Sequence, residues 1–352
     1  MKLNKIIIWG FKLHNHTHSY IHNAFYKTFK YLGYEVYWFN KEGNNNYLDK
    51  GNPLNFENCL YIVVGCESEY LPINQTSYYI WHTFSCPIYK EFEGDKYLIP
   101  LNSKYKNNSI PIEHLVKLHT LWNPCNCDNC NDKDNGCNLW SKNSWINKKN
   151  MYENKNYYYN LDNNIIYIYW ATDLLPYEID ENIKKLESFE IKNISNFIGM
   201  SLEHWNDFKN ELKKNGIEYN NYGGTFNENS EKNKSIEENM KLIQESILAP
   251  ALQDNHQINH QYIPCRIFKN ISYGKMGITN NSAVNELFNN KLIYSDNIQD
   301  LVKKGLEFEN IYDKYDKIKE LMIEVRDNHT YINRINFILD FLKKFKNIEV
   351  IK

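Results

Sequence analysis

Two cations, Arg266 and Lys269, stand three residues apart in YIPCRIFKNISYGKMGITNN, residues 262–281. Residues at that spacing share a helix face. Pro264 marks where such a helix begins and Gly274 where it stops. A short apolar run, Met276 to Thr279, follows and ends on Asn280, Asn281 and Ser282. Two cations on one face, beside the carboxyl end of a parallel strand, can hold a pyrophosphate. The plain alternative is a solvated helix face. The agreement of the Pro, the Gly and the strand favours binding.

Three imidazoles form a second group. His14, His16 and His18 alternate in the turn after the first apolar run, with His22 behind them. Imidazole changes charge near neutral pH and serves as a general base. Three histidines on one loop are a weak metal signal. The alternative is a polar loop whose Thr17 or Ser19 caps the next helix. A third group is FIGMSLEHW, residues 197–205. There Gly199 permits close approach, and Ser201 precedes a helix start whose N–H groups favour phosphate. Asp173, in WATDLLP, follows another strand. It caps a turn, touches a sugar or acceptor, or stands second to the histidines as a base. Cys125, Cys127, Cys130 and Cys137 have the spacing CxCx2Cx6C. They would close a structural zinc site or remain surface thiols.

These groups need elements to position them. Residues 5–10 are a buried strand, 20–32 a helix of apolar spacing stopped by Gly33, and 34–39 a second strand. That is the length of a right-handed crossover unit. Apolar runs at 59–64 and 78–81 extend the same parallel sheet. Residues 102–159 read as an insertion or long loop. A strand at 165–170 leads to a crossing near 178–181. A strand at 196–200 and a helix at 202–215 open a second domain. Helices at 235–246, 300–308 and 310–326 follow. The expected division is 1–178, 179–330 and a last helix in 331–352.

Several chemistries are excluded. The turn after the first strand reads WGFKLHNHTHS and lacks GxGxxG, which argues against a dehydrogenase. A phosphate-binding P-loop is missing too: Gly274-Lys275 is followed by Met276, with Lys269 where the upstream Gly should stand. The one DxD match, Asp132-Lys133-Asp134, lies in the Cys loop. No acidic pair stands at a strand end, so the expected chemistry is metal-independent and cofactor-free.

The chain has 352 residues, enough for two domains. Its net charge of -2 supplies no global field for nucleic acid or an anionic membrane. No stretch approaches the roughly 20 apolar residues of a membrane span. The opening, MKLNKIIIWG, has too short an apolar run for a secretory signal. A soluble, cytoplasmic protein is expected.

The segment around Arg266 resembles the donor-binding element of GT-B glycosyltransferases, in particular the group 1 branch with the spore-maturation-protein-like transferases. Their pattern is an Arg, a Phe, an acidic residue, a small-residue helix, a Gly and a strand ending in a polar pair. This chain departs from it by placing Lys269 where a Glu usually holds the donor ribose. The start of the tail, His329-Thr330-Tyr331 with Arg334, resembles the last helix of the same families. The resemblance implies two Rossmann-like, doubly wound domains facing a cleft. It implies transfer of a hexosyl or deoxyhexosyl group from a nucleotide-diphosphate sugar to a glycan or glycoconjugate hydroxyl; the net charge, for its part, gives the expectation of no nucleic-acid partner. In that reading Arg266 and Lys269 hold the pyrophosphate, and Gly199 and Ser201 add donor contacts. Asn280, Asn281 and Ser282 line the sugar or phosphate pocket, and one of His14, His16 and His18 acts on the acceptor. Two other readings stay open: a non-catalytic nucleotide- or sugar-binding protein of the same fold, and a zinc-stabilised interaction protein built on the Cys loop. The sequence sets no oligomeric state.

Overall fold

A computed structural model describes residues 1–11, 13–39, 56–64, 71–82, 89–92, 97–100, 110–120, 151–154, 157–160, 164–199, 205–223, 233–259 and 262–352. The Cys125, Cys127, Cys130 and Cys137 cluster and Ser201 lie outside the described residues. The chain divides into two compact units: Met1–Tyr169 with Arg334–Lys352, and Trp170–Asn333. The boundary expected near 178 thus falls inside a helix, Pro176–Lys185, and the chain crosses earlier, between Tyr169 and Trp170.

The first unit holds β1 (Lys2–Leu3), β2 (Lys5–Trp9), α1 (Thr17–Tyr31), β3 (Val36–Phe39), β4 (Cys59–Val64) and β5 (Tyr78–His82). Then come β6 (Tyr89–Phe92), β7 (Tyr97–Pro100), β8 (Ile110–Pro111), β9 (Leu115–Thr120), β10 (Met151–Asn154), β11 (Tyr157–Asn160) and β12 (Ile165–Ile168). The main sheet has the order β10-β11-β12-β9-β5-β4-β2-β3. Its strands run parallel from β3 to β12, and β11 and β10 add an antiparallel edge. All six residues of β4 are buried, as expected of a parallel strand covered on both faces. One core layer packs Ile7, Trp9, Tyr61, Val63, Tyr79 and Trp81.

The insertion expected over 102–159 is corrected where the structure describes it. Leu115–Thr120 is an interior strand between β5 and β12, and residues 151–154 and 157–160 form the sheet edge. LVKLHT alternates weakly, and the flanking Asn- and Lys-rich runs hide it.

The second unit holds α2 (Pro176–Lys185), β13 (Ile194–Ile198), α3 (Asn206–Lys214), β14 (Glu218–Tyr222), α4 (Ile236–Glu245), α5 (Asn255–Asn259) and α6 (Cys265–Ser272). β15 (Ile278–Thr279), α7 (Ser282–Leu287), β16 (Ile293–Tyr294), α8 (Ile298–Glu309) and α9 (Lys314–Asn328) complete it. β13 pairs parallel with β14, and β15 with β16. Parallel bridges Lys192–Ser246 and Ala251–Thr279 place the segment from 246 to 251 between the two pairs. The result is a Rossmann-like parallel sheet. Ser235 and Glu238 cap α4 reciprocally. The last helix, α10 (Tyr331–Lys346), carries the chain back into the first unit, where β17 (Glu349–Val350) pairs with β1. There the fully buried Arg334 donates from Nε to the Tyr169 carbonyl at 2.9 Å. No helix among the described residues is long and apolar enough to cross a membrane.

Candidate functional site

The second unit gathers its polar side chains at the carboxyl ends of its strands. Pro264 is the extended N-cap of α6, so the helix begins at Cys265 and puts Arg266 in its first turn. The Arg266 guanidinium reaches back to the strand ends. Nε and Nη2 donate to the Ile198 carbonyl at 3.3 Å each, and Nη1 to the Leu252 carbonyl at 3.5 Å. Its Cζ lies 4.0 Å from the centroid of the Phe197 ring. These bonds are long for a guanidinium. Among the described residues no carboxylate pairs with it. Burial lowers its pKa, against the opposing pull of Cys265, Tyr262 and Tyr219. A guanidinium nonetheless stays charged in a protein. Among the described residues its partners are carbonyls and a ring, an environment that leaves its charge uncompensated by a carboxylate.

One glycine borders its tip, and a second packs behind the first. Gly199 follows β13 with φ +131° and Gly223 follows β14 with φ +77°, backbone regions that favour glycine. A Cβ on Gly199 would lie 2.7 Å from Arg266 Nη2, and one on Gly223 would lie 3.4 Å from the Gly199 nitrogen. Gly199 is tied in place, its N–H donating to Tyr222 and its carbonyl accepting from Asn221 Nδ2, both at 2.7 Å.

Lys269 shares the helix with Arg266, but its environment differs. Its Nζ lies 2.8 Å from Asp173 Oδ2, and Tyr273 donates to Oδ1 at 2.8 Å. Asp173 is 5% exposed, and each of its oxygens meets a donor, one from the partly buried Lys269 and one from the buried Tyr273. That carboxylate anchors Lys269. The α6 face therefore carries one cation neutralised by a carboxylate and one that is not. Burial pushes the Tyr273 hydroxyl pKa well up, and Asp173 adds to the shift.

Asn280 and Asn281 spend their amides on the fold. Asn280 accepts from the Gln253 N–H and donates to the Gln253 carbonyl, both at 2.9 Å. Asn281 caps α7 through Ala283 and donates to Gln253 Oε1 and the Tyr262 carbonyl. Together they fasten β15 to the loop after Ala251. Ser282 is exposed at the first position of α7.

The histidines belong to the first unit, at the carboxyl edge of its sheet. His16, not Thr17 or Ser19, is the N-cap of α1: its Nδ1 accepts from the His18 N–H at 3.2 Å. His18 Nδ1 lies 2.9 Å from the same atom. Phe11 stacks on His16 at 4.1 Å, His16 on His18 at 4.9 Å, and the His82 ring lies 4.9 Å from His18. His14 sits in the left-handed region at φ 70° and meets the Tyr20 hydroxyl through Nδ1 at 3.0 Å. Burial lowers the pKa of His16, and of His18 more strongly, with His82 and His16 adding to the latter shift. His22 is pushed down to about 3 by burial, with His18 and His16 assisting. Sequence reasoning missed His82, which closes β5 and meets the turn only in three dimensions. It also missed the Gly199–Gly223 pairing.

No family model and no curated protein matches the sequence. Solved structures do match in fold. One is an alpha-glucosyltransferase in complex with UDP-glucose and DNA containing an abasic site, at TM-score 0.52 and 9% identity, over 96% of this chain and 100% of that one. A second holds UDP and a 13-mer DNA with a central A:G mismatch, at TM-score 0.51 and 11% identity, over 95% of this chain and 99% of that one. A third, in complex with UDP, gives TM-score 0.50 and 10% identity, over 95% of this chain and 99% of that one. The architecture is GT-B. At these identities the likeness is one of fold, and it does not single out the spore-maturation-protein-like branch. One expectation is overturned: a glycan or glycoconjugate acceptor to the exclusion of nucleic acid. Two of these three GT-B structures contain DNA. The net charge of -2 misleads because it averages two unlike units. The first carries 22 Lys and Arg against 17 Asp and Glu, a net of +5; the second carries 19 against 26, a net of -7.

Proposed function

We propose that this protein transfers a hexosyl group from a nucleoside-diphosphate sugar, with UDP-glucose the first donor to test, to a hydroxyl on DNA. The observation that carries the reading is Arg266: a partly buried guanidinium with no carboxylate partner among the described residues, at the strand ends, beside a glycine, Gly199, that borders its tip. A diphosphate supplies the missing anion. The neighbouring GT-B structures with UDP and DNA support the donor and acceptor classes. The excess positive charge of the first unit suits a polyanionic acceptor.

In this mechanism the donor diphosphate lies against Arg266 and the Gly199 backbone. The guanidinium offsets the charge that develops on the leaving diphosphate, without a divalent metal. Lys269, held by Asp173, adds a contact at the edge of the same site. An imidazole of the His14, His16 and His18 turn takes the proton of the acceptor hydroxyl.

The test has two parts. Thermal shifts with UDP, UDP-glucose, GDP, dTDP and CMP identify the nucleotide, because a ligand specific to the folded state raises its melting temperature. Transfer of labelled glucose to a duplex bearing a hydroxymethylated pyrimidine, with and without chelator, then reads activity. Such a base offers a hydroxyl that an unmodified duplex lacks away from its ends. No nucleotide shift and no transfer refute the reading. Nucleotide binding without transfer favours a non-catalytic protein of the same fold, a reading to which the neutralised Lys269–Asp173 pair lends weight.

A further inference from the structure

The two cations of α6 differ in what stands behind them. Among the described residues Arg266 meets carbonyls and a ring but no carboxylate. Lys269, one helical turn on, lies 2.8 Å from Asp173 Oδ2. The two exposures are unequal: the Lys269 side chain is 21% exposed and that of Asp173 3%. The ammonium keeps part of its surface to water while the carboxylate is sealed behind it. Neighbouring contacts fix the carboxylate there. Tyr273, one turn further along α6, donates to Oδ1 at 2.8 Å. Thr172 joins Ser272 hydroxyl to hydroxyl at 2.7 Å and donates its N–H to the His329 carbonyl at 3.1 Å. Glu178, the other carboxylate acting on Tyr273, accepts from the Leu175 N–H at 2.7 Å and caps α2. Two cations less the one carboxylate of Asp173 leave this face of α6 a single net positive charge.

We propose, resting on the donor reading above, that Asp173 is a positioning residue that acts through Lys269 to set the balance between donor and product. Each phosphate of a nucleoside-diphosphate sugar is bonded on two sides and has one ionisable oxygen. Transfer breaks the bond between the anomeric carbon and the terminal phosphate, and the electron pair stays on the phosphate oxygen. The acceptor oxygen bonds to the anomeric carbon, and its proton passes through a base to water. The product now ends on a phosphate monoester, whose second ionisation lies near pH 6. At neutral pH the product therefore carries about one more negative charge than the donor. A site with two uncompensated cations would hold the product more tightly than the donor and stall after each turnover. With Asp173 behind it, Lys269 still donates a hydrogen bond but adds little net field, so Arg266 alone feels the extra charge of the product.

Calorimetric titrations of the full chain with UDP and with UDP-glucose test this. The readout is the ratio of the two dissociation constants, because a purely structural defect weakens both ligands together. Asp173→Asn keeps an oxygen for Tyr273 and removes the charge. It should tighten UDP relative to UDP-glucose by about 3- to 10-fold, the size expected of one unit charge roughly a helical turn from another in a partly wetted site. The double variant Asp173→Asn, Lys269→Met removes the pair as a neutral unit and should keep the parental ratio within about twofold. It leaves no buried charge without a partner, so it supplies the test even where the single variant does not fold. An unmoved ratio in Asp173→Asn shows that the carboxylate does not offset Lys269 and overturns the proposal. A ratio shifted toward UDP-glucose in the double variant shows that the ligand feels Lys269 in full and overturns it as well. In either case UDP binding by the parent leaves the donor reading standing. A parent protein that binds neither UDP nor UDP-glucose refutes the proposal together with that reading.

Discussion

Replacing Arg266 by Met separates a binding arginine from a structural one, because the two roles predict opposite balances of stability and affinity. The side chain makes three hydrogen bonds to carbonyls at 3.3–3.5 Å and packs on Phe197. Bonds of that length fall at the weak end of a range of roughly 0.5–1.5 kcal/mol each. Against them stands the cost of holding a cation partly out of water with no carboxylate beside it, on the order of a few kcal/mol. Met keeps most of the apolar stem and removes the charge. The two contributions nearly cancel, so the stability of the ligand-free protein should change by less than about 1 kcal/mol in either direction. Nucleotide affinity should behave differently. A charge-assisted contact to diphosphate is worth roughly 1.5–3 kcal/mol, or about 10- to 150-fold in Kd. Denaturant unfolding of ligand-free protein and calorimetric titration with UDP measure the two quantities on one preparation. A loss of 3 kcal/mol or more in stability with UDP affinity unchanged would refute the reasoning and make Arg266 a strut.

Lys269→Ala leaves the Asp173 carboxylate buried without its cation, so a loss of about 3–5 kcal/mol is expected by denaturant unfolding, and Asp173→Asn in the same chain should restore much of it. Gly199→Ala pushes a methyl toward Arg266 Nη2 at a φ that disfavours side chains; weakened UDP binding is expected, and unchanged binding would show that the guanidinium tip does not border the ligand. Burial lowers Lys275 to about 8 from an ordinary 10.5, so the unfolded chain holds the extra proton between these values and stability should rise with pH across that window. Lys275→Met should accordingly stabilise the protein by at most about 3 kcal/mol below pH 8 and show no advantage near pH 10.5. His22 behaves in the same sense at lower pH. With its value moved from 6.5 to about 3, the unfolded chain protonates first, and stability should fall by about 1.4 kcal/mol per pH unit below 6.5 from this group alone. Acid unfolding of His22→Leu, compared with the parent, checks that slope.

Much of the framework was legible because it depends on short-range pattern. Apolar runs at residues 5–10 and 59–64, a helical spacing ended by Gly33, and the Pro264-to-Gly274 helix each appear where local physics puts them. What stayed hidden depends on distant pairing. Nothing near Lys269 in the chain announces that Asp173, almost a hundred residues earlier, will take its charge. The spacing of Arg266 and Lys269 suggested two equal phosphate ligands; only the partners show that the pair is unequal. The same holds for Asn280 and Asn281, whose position at a strand end is a ligand position but whose amides are consumed by Gln253 and α7. Net charge failed for a related reason. It is a sum over the chain, whereas a polyanion meets one surface, and here the two units differ in sign.

The histidine turn carries that contrast furthest. Alternating histidines placed the imidazoles together in sequence, yet the alternation could not say which ring accepts and which donates. The cap decides it for His16 Nδ1. Because His16 gives its Nδ1 lone pair to the helix start, that nitrogen accepts. A backbone requirement, the need of the first N–H groups of α1 for an acceptor, thereby takes up one ring nitrogen of the turn. A substitution that caps well without an imidazole should preserve the helix. His16→Asn is expected to keep the melting temperature within a few degrees. His16→Ala should lower it, since it costs about 1 kcal/mol of capping. Equal melting temperatures in the two variants would show that His16 does not cap α1.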